Sequence, residues 1–114
     1  MRSTIYYKDD DTSRPIGTIE SSDPLYENKD YMKSFLSFIE LCECNRESFI
    51  YNNLIGEEIL YGDKSKVQFS TTDMVDTFHM YIKNVDEITI RLYYPKDYST
   101  LINKIEKDLS IKRI

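Results

Sequence analysis

At 114 residues the chain matches one ordinary domain, and residues 1–114 read as a single globular unit. A hydrophobic content of 40% is enough for one core, whereas a mean hydropathy of -0.53, with no apolar run near the roughly 20 residues a bilayer requires, argues against a membrane-spanning helix. With 15 basic and 20 acidic residues the net charge is -5, the wrong sign for a nonspecific nucleic-acid binder that neutralises phosphates with a basic face.

The N-terminal stretch M-R-S-T-I-Y-Y-K-D-D-D has no apolar segment of the kind a secretory leader carries. Residues 3–7, S-T-I-Y-Y, are rich in β-branched and aromatic side chains and predict a first strand. The turn formers K-D-D-D-T-S-R-P interrupt it, and I-G-T-I-E at 16–20 predicts a second strand, so the two make a hairpin with a polar tip. S-S-D-P is the next break, since Pro24 favours an extended residue before it.

From Lys29 the period changes. Tyr31, Phe35, Phe38, Ile39 and Cys42 fall at helical spacing, Met32 and Leu36 widen the stripe, and Asn28 or Asp30 is placed to cap it. Phe49, Ile50, Leu54 and Leu60 suggest a second helix from Asn45, stopped by Gly62 and weakened by Gly56 inside it. Alternation then returns. K-V-Q-F-S is a short strand, D-T-F-H-M-Y-I-K puts Phe78, Met80 and Ile82 on one face, and E-I-T-I-R-L-Y-Y does the same with Ile88, Ile90 and Leu92. Pro95 ends that run, and Tyr98, Leu101, Ile102, Ile105 and Leu109 trace a last helix capped by Asp97 or Ser99. The expected fold is α+β: a two-layer sandwich with a mainly antiparallel sheet, element order β-β-α-α-β-β-β-α, and helices on one face.

The nearest approach to a chemical motif is I-E-L-C-E-C-N-R-E-S, which holds both cysteines, Cys42 and Cys44. Positions i and i+2 of a helix point about 200° apart, so the two thiols diverge and a shared metal or redox role is not expected. Cys42 extends the apolar stripe, as a small buried residue does. With no disulfide framework, a reducing cytoplasmic compartment is the expected setting. His79, the sole histidine, lies on the polar face of its strand without the partners a catalytic histidine requires. Asp9, Asp10 and Asp11 lack the spacing of a calcium loop. The glycines, Gly17, Gly56 and Gly62, are too dispersed to cradle phosphate. No cofactor or metal is expected.

Charge is unevenly spread. Residues 8–30 carry three bases against seven acids, while the chain from Lys96 onward carries five bases against three acids. Ten tyrosines with no tryptophan add amphipathic rings suited both to strands and to interfaces. This profile, by physical character rather than by motif, is that of immunity proteins, antitoxins and virus-encoded inhibitors. The leading expectation is therefore a small noncatalytic binding protein that blocks a basic protein partner, for example a nuclease toxin, by occluding its basic surface. Asp9, Asp10, Asp11, Glu20, Asp23 and Glu27 would supply charge, and Tyr6, Tyr7 and Tyr26 would supply packing. Two alternatives stand beside it: an assembly subunit that self-associates, as a homodimer for instance, and a small hydrolase using His79.

Overall fold

The computed structural model describes residues 2–9, 13–22, 25–61, 65–72, 74–82 and 86–111. In chain order the elements are β1 (Arg2–Lys8), β2 (Pro15–Ser22), a 3₁₀ turn (Leu25–Glu27), α1 (Lys29–Tyr51), β3 (Glu58–Tyr61), β4 (Ser65–Thr72), β5 (Val75–Ile82), β6 (Asp86–Tyr93) and α2 (Tyr98–Leu109). All pairings are antiparallel, in one six-stranded sheet of order β1-β2-β6-β5-β4-β3. Strands β3 to β6 form a meander, and β6 returns beside β2 to join it to the N-terminal hairpin. The architecture is an α+β two-layer sandwich.

Strict alternation in the strands produces the two faces of this sheet. Along β5, Asp76, Phe78, Met80 and Ile82 are buried and the residues between them are half-buried. Register then carries an apolar row across the sheet, from Ile5 through Ile19, Ile90 and Phe78 to Phe69. Both helices cover this face. Phe49 of α1 lies 6.1 Å from the Phe69 ring, and Tyr98 of α2 meets Phe78 edge-on at 5.7 Å. Met32, Phe35, Leu36, Phe38, Ile39 and Cys42 of α1, with Leu101, Ile102 and Ile105 of α2, complete one continuous core.

The expected second helix is absent. Helix α1 continues unbroken for 23 residues through Asn45, Phe49 and Ile50. Its stop is the pair Asn52–Asn53, with Asn53 in the left-handed region at φ 55° and Leu54 N–H returning to the Phe49 carbonyl at 2.9 Å. Gly56, at φ 84°, turns the chain again, and Leu60 belongs to β3 opposite Lys66. The chain order is thus β-β-α-β-β-β-β-α, apart from the short 3₁₀ turn. The apolar spacing from Phe49 to Leu60 mixed the last turn of one helix with the first residues of an edge strand. Gly62 lies outside the described residues.

Both helices start where side-chain caps allow. Asn28 Oδ1 accepts from Tyr31 N–H at 3.1 Å, and Asp97 Oδ1 accepts from Thr100 N–H at 3.0 Å. Helix α2 ends at Ser110, left-handed at φ 52°, after which Ile111 N–H returns to the Glu106 carbonyl at 3.0 Å and its side chain is buried.

One glycine is required by close approach. Tyr7 crosses above Gly17 to donate its hydroxyl to the Arg91 carbonyl at 3.3 Å, linking β1 to β6 over the intervening β2. A Cβ on Gly17 would overlap that carbonyl oxygen and lie 2.8 Å from Tyr7 Oη. Gly17→Ala should therefore destabilise the chain by about 1–3 kcal/mol, the usual cost of overpacking. Tyr7→Phe, which loses only the hydrogen bond, should cost about 1 kcal/mol. Urea unfolding of the two variants checks the order; equal midpoints would show that the strands shift freely at Gly17.

Candidate functional site

No described element covers the second face of the sheet. Two cross-strand rows pave it. One runs Tyr6, Thr18, Arg91, Thr77, Ser70 and the other runs Thr4, Glu20, Thr89, His79, Gln68, Glu58. Threonine and tyrosine favour such a surface because their branched or flat side chains suit a pleated strand while keeping a polar tip. Arg91 Nη1 donates to Glu20 Oε1 at 3.0 Å, across neighbouring strands. Thr18 and Thr89 are nearly inaccessible beneath these longer side chains, at 4% and 2% exposure. Tyr6 projects from this face at 75% exposure.

His79 sits in the middle of that face. Its Nδ1 is 2.9 Å from Thr89 Oγ1, and its ring stacks on Tyr81 at 5.6 Å with planes 16° apart. A hydroxyl partner and an aromatic neighbour fix the orientation of the imidazole on this face. Tyr81 in turn lies opposite Glu87.

The residues singled out from the sequence are scattered by the fold. Tyr6 is on the open face, whereas Tyr7 and Tyr26 are in the core, 5% and 8% exposed. Their phenols are pushed well above the ordinary value by burial, Tyr26 further by Asp108, whose Oδ2 accepts its hydroxyl at 3.0 Å. Of the three only Tyr6 projects into open solvent, whereas Tyr7 and Tyr26 are core residues that line the clefts beside β1. Asp9 is half-buried and pairs with Arg14 at 3.6 Å, and Glu20 is held by Arg91. Glu27 is exposed at the opposite end of β2. Asp10, Asp11 and Asp23 lie outside the described residues. The eight residues of β2 separate Asp9 from Glu27 by roughly 25 Å, so these two carboxylates do not share one patch.

The strongest electrostatic feature is elsewhere. Asp76, fully buried on the core face of β5, accepts Arg46 Nε at 3.0 Å, Arg46 Nη2 at 3.2 Å, Thr71 Oγ1 at 2.6 Å and Tyr98 Oη at 2.7 Å. Lys96 Nζ stands 3.8 Å away. Burial alone would raise this carboxyl, but the hydrogen bonds from Arg46, Thr71 and Tyr98 and the Arg46 charge hold it below its ordinary value. Burial lowers Lys96 despite Asp76, and burial with Asp76 raises Tyr98. Every lone pair facing inward is engaged, so this cluster acts as a clamp between layers.

The cysteines diverge. Cys42 is buried, its thiol pushed up to about 12 by burial and then by Asp76, while Cys44 is exposed on the far side of α1. Among the described residues no group of three or more His, Cys, Asp or Glu side chains could hold a metal ion. No described helix is long and apolar enough to cross a membrane. Sequence reasoning passed over Asp76, although extending the Phe78–Met80–Ile82 parity backwards puts an acid on the apolar face, the mark of a buried, partnered charge. Comparison with protein-family models, curated proteins and solved structures found no match to the chain.

The clamp has a pH signature. Because the folded Asp76 carboxyl titrates below its unfolded value, its contribution is complete above about pH 4 and is lost as pH falls through the lower folded value. At neutral pH, Asp76→Asn should cost about 3–5 kcal/mol, the usual penalty for breaking a buried pair. In urea titrations that difference should narrow below about pH 4. A constant difference down to acid pH would show that Asp76 is not bound as a carboxylate.

Proposed function

We propose that the chain is a small acidic, noncatalytic binding protein that engages a basic protein partner and blocks it by covering its basic surface, as immunity proteins, antitoxins and viral inhibitors do. The observation that supports this reading most is the uncovered sheet face with its aromatic side chains, Tyr6, His79 and Tyr81, set among threonines. Six strands at about 4.8 Å spacing and about eight residues in length give a flat area of roughly 700 Å², near the ~800 Å² per partner of a standard interface. The aromatic side chains would pack, and the summed charge of Asp9, Asp10, Asp11, Glu20, Asp23 and Glu27 would steer a basic partner into place. An exposed thiol at Cys44 persists in a reducing setting, and we infer a cytoplasmic one.

The test is capture in the native host by tagged wild-type chain, followed by association kinetics with the captured protein. Wild type should retain one stoichiometric basic protein, partly released by high salt. A Tyr6→Ala, Tyr81→Ala double variant should bind it about tenfold or more weakly through faster dissociation. Reversing Asp9, Asp10 and Asp11 to lysine should instead slow association several-fold and flatten its salt dependence. Undiminished binding by the double variant would remove the open face from the proposal.

A further inference from the structure

The free edge of β1 borders a groove that neither the core nor the open face explains. Among the described residues β1 pairs on one side only, with β2, so alternate residues along its seven-residue length turn N–H and C=O groups outward. The other edge, β3, is only four residues long and offers little to pair with. Two clefts flank β1 on its helix side. One, of about 320 Å³, is lined by Ser3, Ile5, Tyr26 and Leu109 among others, and is largely apolar. The second, of about 400 Å³, is lined by Tyr7, Lys8, Asn103, Lys104 and Lys107 among others. Asp108 borders both, its carboxylate fixed by Tyr26 Oη at 3.0 Å and Lys104 Nζ at 3.1 Å.

Charge in the larger cleft is unbalanced. Of the carboxylates in its wall, Asp108 pairs with Lys104 and Asp9 shares Arg14 with Asp97. Lys8 and Lys107 are exposed and make no ion pair among the described residues. Lys8 and Lys107 thus bring two cations to one cleft in a chain of net charge -5.

We propose that this edge is a docking groove for an extended segment of a partner protein, which adds as a strand beside β1. An aliphatic side chain of that segment enters the cleft at Ile5 and Leu109, and a carboxylate side chain enters the cleft at Lys8 and Lys107. Main-chain hydrogen bonds to the β1 edge supply affinity, and the two clefts read alternate side chains. Side chains on one face of a strand recur every second residue, about 6.7 Å apart, so the two anchors stand an even number of residues from each other. A second copy of this chain is the poorer occupant, because its own β1, R-S-T-I-Y-Y-K, brings no carboxylate to the lysines and adds cations at both ends. The groove lies on the helix side of the sheet, so it stands independently of the reading of the open face.

Selection from a phage-displayed library of short random linear peptides on the wild-type chain tests this. Recovered peptides should share an acidic and an aliphatic residue at even spacing. Adding such a peptide should slow hydrogen exchange of the β1 amides between Thr4 and Tyr7. A Lys8→Glu, Lys107→Glu variant should keep the wild-type thermal midpoint, since both side chains are exposed, and bind the peptide about tenfold or more weakly. Tyr81→Ala, on the other face, should bind it as wild type does. The proposal fails if no such consensus emerges, if the double variant binds equally, or if protection falls on β5 and β6. It also fails if sedimentation shows a dimer that the peptide does not displace, which would make a second copy the occupant.

Discussion

One buried carboxylate ties the two layers together. Asp76 hangs from the core face of β5, and the groups that reach it come from α1 (Arg46), β4 (Thr71) and α2 with the turn before it (Tyr98, Lys96). An unpaired charge at that depth would cost several kcal/mol, so the fold tolerates Asp76 only where all of these elements converge. The consequence is geometric. Apolar packing of Phe49 on Phe69 and of Tyr98 on Phe78 would allow the helices to slide by a turn, whereas a charged fork with two oxygens to satisfy does not. Arg46 also explains why α1 runs on past Asn45: the last turns of the helix carry the guanidinium over the end of β5.

Placing both helices on one side leaves the other side of the sheet uncovered by any described element. An antiparallel sheet accepts this arrangement because alternation supplies a polar face without weakening the core. Here that face has order of its own. Glu20 and Arg91 bridge two strands, Thr89 holds His79, and His79 stacks on Tyr81, so the side chains are largely placed before anything binds. Preorganised side chains lose less conformational freedom on association, which suits the contact role proposed for this face.

Much of this was legible in the sequence where periodicity and burial coincide. The alternation of Phe78, Met80 and Ile82 against Ile88, Ile90 and Leu92 gave the central hairpin, and the stripes from Tyr31 to Cys42 and from Tyr98 to Leu109 gave both helices. The region from Asn45 to Leu60 was not legible, because a helix end and an edge strand each contribute too few apolar residues to show a period. The inward rotation of Tyr7 and Tyr26 was hidden for a different reason. Tyr6 and Tyr7 are adjacent, and strand parity sends one to each face, but which one goes inward depends on Gly17 leaving room for a ring to cross β2. The acidic stretch of residues 8–30 is continuous in sequence, but β2 runs through it and sets Asp9 and Glu27 far apart.

That division changes what the net charge can do. Of the described acids, Asp9 and Glu27 lie beyond opposite ends of β2 and Glu20 lies on the open face, while beside the free edge Lys8 is exposed and Lys104 and Lys107 face it from α2. Edge strands are commonly blunted by lysine, by bulges or by shortness, and this chain uses each device unevenly. β3 is short, while β1 is long and has its register shift and its lysine only at the Tyr7–Lys8 end. From Ser3 to Tyr6 no described element pairs with the edge, and an apolar cleft lies beside it. An open edge of that length invites uncontrolled pairing unless charge selects what may add to it. The lysines at one end supply that selection: they repel another basic strand, including the chain's own β1, and admit one that carries an acid in the right register.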